Sequence, residues 1–125
     1  MSTQDARTGA ADHARLTGFM HRMRADQRTG FLALRALALS LGPDVVERVD
    51  GTEVTYMRRA RPFVGVRTGR GAPTLVFPPG LPLEDPMGRL LRHGDERYVS
   101  LDTAEALDAH VQEFVRKAYA LLPRA

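Results

Sequence analysis

Three sets of side chains in this 125-residue chain could do chemistry. The first is a run of arginines. Arg58, Arg59, Arg61, Arg67 and Arg70 fall between Val54 and Gly71 with no acid among them. Guanidinium forks match carboxylate and phosphate groups, so Arg58, Arg59, Arg61 and Arg67 are candidates for anion contacts. Strand alternation splits such side chains between two faces, so all four cannot serve one site. The second set is acidic and recurs at every third position: Asp44, Glu47, Asp50 and Glu53. Clustered carboxylates bind hard cations, but capping and turn roles account for Asp44, Glu47 and Asp50 without a metal. The third set is the histidines, His13, His21, His93 and His110. His13 and His21 lie about 12 Å apart on a straight helix, too far to share an ion. His93 stands out because it follows Arg89 and Arg92 and precedes Gly94-Asp95-Glu96; we add it to the candidate anion site.

Other routes to chemistry close. The chain has no cysteine, which excludes disulfides, thiolate-ligated metals and thiol nucleophiles. Gly69-Arg70-Gly71 has the glycines of a phosphate-cradling loop but not its Gly-Lys-Ser/Thr ending, and a strand follows it. We read it as a hairpin turn. Ser2, Ser40 and Ser100 lack the setting of a nucleophile elbow. No catalytic set is recognisable, which leans against an enzyme.

The net charge of +3 is modest, and eight acids between Leu81 and Glu113 face the arginine-rich segment in the balance. Mutual neutralisation within the fold or across a dimer explains this better than nucleic-acid binding, which wants a less compensated surface. No apolar run is long enough to span a membrane, and the N-terminus has no signal-peptide core. The expected compartment is the cytoplasm.

The elements that must position these residues follow from periodicity. Residues 1–11 read as a flexible tail and 12–125 as one domain. A helix is expected over 12–25, capped by Asp12, with Leu16, Phe19, Met20 and Met23 at helical spacing. A second is expected over 31–41, stopped by Gly42-Pro43. Asp44–Val49 reads as a short helical turn on the spacing of Asp44 and Glu47, and Asp50-Gly51 as a tight turn. Strands are expected at 53–58, 61–68, 74–77 and 97–101, the first three forming an antiparallel meander. A Pro-rich loop follows at 78–86, then a short helix capped by Asp85 through Arg92. The last helix is expected from Asp102, with Leu107, Val111, Phe114, Val115, Ala118 and Leu122 on one face. The fold class is therefore α+β: a three- to four-stranded antiparallel sheet packed with N-terminal helices and a C-terminal helix.

This order resembles the YdhG-like domain family over residues 32–122. The matching stretches are Gly-Pro-Asp-Val-Val-Glu at 42–47, Thr-Tyr-Met-Arg-Arg at 55–59, Arg-Tyr-Val-Ser-Leu at 97–101 and Val-Arg-Lys-Ala-Tyr at 115–119. The resemblance implies a compact α+β fold. One branch of that family is described as frataxin-like, delivering iron through surface carboxylates. By position, the matching acids here are Asp44, Glu47, Asp50 and Glu53. The chain lacks the Trp-Gly-x-Pro stretch often seen in the family, and its sheet arginines oppose an acidic iron-holding face.

The leading expectation is a non-enzymatic module that binds a small ligand or a protein partner on the exposed sheet face, with no resident cofactor. Frataxin-like iron delivery, a small enzyme built around His93, and a homodimer are the alternatives.

Overall fold

A computed structural model describes residues 9–69 and 71–122. The tail expected at the N-terminus lies outside the described residues up to position 8, as do Arg70 and Pro123. The elements run α1 (Ala10–His21), α2 (Ala25–Ser40), β1 (Val45–Val49), β2 (Glu53–Arg58), β3 (Arg61–Arg67), β4 (Thr74–Phe77), β5 (Leu91–His93), β6 (Glu96–Ser100), a 3-10 turn (Ala104–Ala106) and α3 (Ala109–Leu121). The fold is α+β with a six-stranded sheet in the order β1-β2-β3-β4-β6-β5, antiparallel at every pairing. The sheet thus has two strands more than the upper limit expected from sequence.

The core lies on one face of the sheet. Val45, Val49, Val54, Tyr56, Val64, Val66, Leu75 and Phe77 point into it and meet Leu16, Phe19, Phe31, Leu34 and Ala38 from α1 and α2, and Val111, Phe114 and Val115 from α3. Phe19 packs on Phe31 with ring centroids 5.3 Å apart, fixing α1 on α2. Phe114 meets Phe77 at 6.3 Å and fixes α3 on the sheet. A register shift between Tyr56 and Met57 offsets β3 and lets Phe63 and Val64 both be buried.

Five expectations are corrected. Asp44–Val49 does not form a helical turn; Val45–Val49 is edge strand β1, with Val45, Glu47 and Val49 facing the core. The acid at the middle inward position hid the alternation. The segment after Asp85 is not a helix. Its carboxylate accepts from Arg89 N–H at 2.8 Å and Leu90 N–H at 2.9 Å, but Gly88 turns left-handed at φ 66° and the chain leaves as strand β5. The last helix does not start at Asp102. Leu107 interrupts the helical path, and Asp108 caps α3 by accepting from Val111 N–H at 3.0 Å. Asp102 instead accepts from Arg24 and Gln27. Helix α1 begins at Ala10 rather than Asp12 and ends at His21, and α2 starts six residues before Phe31, at Ala25. Asp50 holds the β1–β2 turn as expected, accepting from Thr52 and Glu53 N–H.

Candidate functional site

Residues that alternate away from the core line the opposite sheet face: Val46 and Arg48 on β1, Thr55 and Met57 on β2, Arg67 on β3, Thr74 and Val76 on β4, Glu96 and Tyr98 on β6, Leu91 and His93 on β5. None of these joins the core cluster. The buried apolar side chains described on α1, α2 and α3 belong to that cluster, so the helical layer covers one face and leaves the other open.

On this open face Arg67, Thr74, Val76, His93, Glu96 and Tyr98 enclose a groove of about 190 Å³. The strand pairing explains how they meet. Gly65 on β3 opposes Val76 on β4, which opposes Tyr98 on β6, which opposes Leu91 on β5. The missing side chain at Gly65 keeps that row low. Arg67 reaches across it: its two terminal nitrogens donate to the two Glu96 oxygens at 3.1 and 3.2 Å, and its Nε donates to Glu53 at 3.1 Å. A planar fork meeting a carboxylate in this way is a strong, oriented pair. The contact raises the pKa of Arg67, led by the Glu96 bond, and lowers that of Glu96, led by Arg67 with His93 adding charge. His93 sits directly opposite Glu96 across the β5–β6 turn.

The other candidate residues go elsewhere. Arg58 faces the core and is buried. Its Nε donates to Asp44 at 2.9 Å, one terminal nitrogen donates to the Tyr119 and Leu122 carbonyls at 2.9 and 3.1 Å, and its guanidinium lies 4.0 Å from the Tyr119 ring centroid. It is a clamp on the end of α3 and is closed to an external anion. Arg59 forms the β2–β3 turn with Ala60, both left-handed at φ 48° and 68°. Arg61 is exposed at the start of β3, away from the Arg67 groove. Only Arg67 and His93 of the expected anion set come together.

Each of the four recurring acids has its own protein partner. Glu47 is fully buried against Arg35, which donates to it at 2.9 and 3.2 Å, and Tyr56, whose hydroxyl donates at 2.8 Å. Asp44 accepts from Arg58 and, at 2.6 Å, from the Tyr119 hydroxyl. That hydroxyl and then Arg58 hold the Asp44 pKa below the usual carboxylate range. Asp50 caps its turn, and Glu53 meets Arg67. Among the described residues no group of three or more His, Asp or Glu side chains is placed to hold a metal ion.

Glu96, Tyr98, Thr74 and Val76 were not singled out by sequence. Tyr98 carried a usable signal, since alternation in an Arg-Tyr-Val-Ser-Leu strand sets it on the face opposite Val99. The β4–β6 pairing that brings it beside Arg67 has no local signature. Compared with family models, curated proteins and solved structures, the chain matches none. Among the described residues no helix is long and apolar enough to cross a membrane.

Proposed function

We propose that the chain is a non-enzymatic binding module that holds a protein partner on the open face of its sheet. The observation that carries this reading is that face, where Val76 and Tyr98 line the groove with the Arg67–Glu96 pair, and exposed Leu91 and Val46 lie on the same face outside the core cluster. A partly apolar patch set around fixed polar groups is the ordinary composition of an interaction surface. Arg67 is braced from two strands, so little side-chain order remains to be imposed on binding. The groove volume of about 190 Å³ falls below the roughly 300 Å³ at which small-molecule pockets begin, which favours a partner's side chain over a free metabolite. Charge selects among side chains. Arg67 is shared between Glu53 and Glu96, so the cluster carries one more negative than positive charge when His93 is neutral. It suits a cationic or amide side chain rather than an anion.

Photo-crosslinking tests the reading. A benzophenone amino acid at position 98 is expected to give one discrete adduct in cells, and the same group at the exposed position of Thr29 on α2 none. The adduct should disappear on Glu96→Lys, which reverses the charge offered to a cationic side chain. Absence of a discrete adduct from positions 55 and 98 would overturn the proposal, and an adduct of twice the chain mass would identify the partner as a second copy.

One observation favours a second reading, an enzyme centred on His93: His93 and an acid do share a groove. The weakness is that both Glu96 oxygens are already engaged by Arg67, which leaves that carboxylate poorly placed to orient the imidazole. Loss of a detected activity on His93→Ala, with an unchanged melting temperature, is the result this reading requires.

A further inference from the structure

A second surface lies on the other side of the molecule, where α3 runs beside the Pro-rich segment 78–90. Three cavities join there. The first, about 300 Å³, is bounded by Arg61, Pro79, Pro82 and Leu121. The second, about 250 Å³, shares Pro82 and Leu121 with it and adds Glu84 and Lys117. The third, about 210 Å³, continues from Glu84 and Lys117 to Met87 and His110. They adjoin in a row along the exposed side of α3, each sharing two lining residues with the next, and we treat the row as one cleft. From His110 to Leu121 the helix rises about 16 Å, the span of roughly five residues of extended chain.

The wall opposite α3 is built to stay in place. Arg97 donates to the Leu81 and Leu83 carbonyls, and Asp85 accepts from two backbone amides. Pro78, Pro79, Pro82 and Pro86 restrict the remaining backbone freedom. Yet apolar groups on its rim are left in water: Leu121 is 44% exposed and Met87 69% exposed.

Charge indicates what fits. Towards the His110 end the ionic groups are mostly matched internally, Arg89 with Asp108 and Glu113 with Arg116. Towards the other end Arg61 and Lys117 have no ion-pair partner among the described residues, against one unpaired acid, Glu84. Two cations against one acid therefore line the part of the cleft that also holds Leu121, an excess of one positive charge.

We propose that this cleft binds an extended peptide segment of about five or six residues, carrying an acidic side chain toward Arg61 and Lys117 and an apolar one against Leu121 and Pro82. The site is separate from the open sheet face and does not depend on it. Lys117 is the chain's single lysine, which makes the contact chemically addressable.

Random hexapeptides displayed on phage are selected against the purified chain. The enriched peptides are then synthesised, titrated by fluorescence anisotropy, and coupled with a carbodiimide. The expected result is enrichment of Asp or Glu next to an apolar residue and carbodiimide coupling to Lys117. Affinity should fall at least tenfold on Arg61→Glu and on Leu121→Asp, both exposed positions, and stay unchanged on Tyr98→Arg. No enrichment of acids, or affinity that survives both cleft substitutions, overturns the proposal. So does affinity that is lost only on Tyr98→Arg, which would place peptide binding on the sheet face instead.

Discussion

The Tyr56 hydroxyl donates to Glu47 Oε2 at 2.8 Å inside a region where both side chains are fully buried. Arg35 supplies the compensating charge through two hydrogen bonds to the same carboxylate. The three residues come from α2, β1 and β2, so one polar cluster ties the helical layer to the sheet edge. Removing one partner of a buried pair leaves an uncompensated charge at a cost of about 3–5 kcal/mol. Arg35→Met is therefore expected to lower stability by about that much in urea denaturation. Arg35→Met with Glu47→Leu should recover a large part of the loss. Tyr56→Phe should cost less, about 1–3 kcal/mol, since only one hydrogen bond to the carboxylate goes.

Stability should have an acid limb and an alkaline limb with different owners. Asp44, Glu96 and Asp108 all titrate below their ordinary values, held down first by the Tyr119 hydroxyl, Arg67 and Arg89 respectively. Depressed carboxylates stabilise the fold above their unfolded pKa of about 4 and lose that contribution as pH falls through the lower folded values. Tyr56 titrates well above its ordinary value because burial, then Glu47, opposes the phenolate. Its contribution is complete below the unfolded pKa of about 10 and is lost as pH rises toward the folded value. Chemical denaturation across pH should show Asp44→Asn flattening the acid limb and Tyr56→Phe the alkaline one.

The β2–β3 turn carries a correctable strain. Arg59 and Ala60 are both left-handed, a conformation that two-residue hairpins usually give to Asn and Gly. Arg59→Asn with Ala60→Gly is expected to raise stability by about 1 kcal/mol, read as a higher melting temperature. A lower melting temperature would mean that the Arg59 side chain makes a stabilising contribution larger than the strain it carries.

Gly42 should be intolerant of even one carbon. A Cβ there would lie 2.7 Å from the Asp44 carboxylate and would overlap the Tyr119 hydroxyl bonded to it. Tyr119 cannot swing aside easily, because Arg58 stacks on its ring and Phe63 packs against its edge. Gly42→Ala is expected to cost about 1–3 kcal/mol, as overpacking does. The loss should shrink on a Tyr119→Phe background in a double-mutant cycle.

Arg67 should matter little to stability, because the Arg67, Glu53 and Glu96 side chains are all partly exposed. Arg67→Ala is expected to change unfolding free energy by no more than about 1 kcal/mol. Glu96→Lys, which reverses the charge offered to the partner, is expected to abolish the position-98 adduct at a similarly small cost in stability, so the two measurements separate a recognition role from a structural one.

Legibility followed locality. Strands β2 and β4 have the boundaries their β-branched and aromatic residues suggested, and Arg59-Ala60 is the connection expected between two strands. Strand β1 was hidden by Glu47: an acid belongs inside only if Arg35 and Tyr56 are there to meet it, and no window of local sequence contains that information. Strand β5 is three exposed residues following a real Asp85 cap, so the local helix signal was sound and Gly88 overrode it. The arginine-rich segment was visible at once, but its meaning was not. Arg58 turns inward, Arg67 lies across the outer face and Arg61 faces the α3 cleft, because a turn and a register shift separate them. The Arg67–His93 groove needed the long-range β4–β6 pairing and could not be assembled from spacing.

Arg58 also sets an order of events. It sits on the second strand, yet two of its hydrogen bonds go to carbonyls more than sixty residues later, at the end of α3. During synthesis the β1–β2 hairpin leaves the ribosome well before those acceptors exist. Until α3 arrives, a guanidinium destined for burial has only Asp44, and the Asp44 carboxylate still lacks the Tyr119 hydroxyl. The early hairpin is therefore expected to stay open to water at this corner until α3 docks. A nascent chain stalled before Tyr119 should remain protease-sensitive throughout, rather than containing a folded N-terminal half.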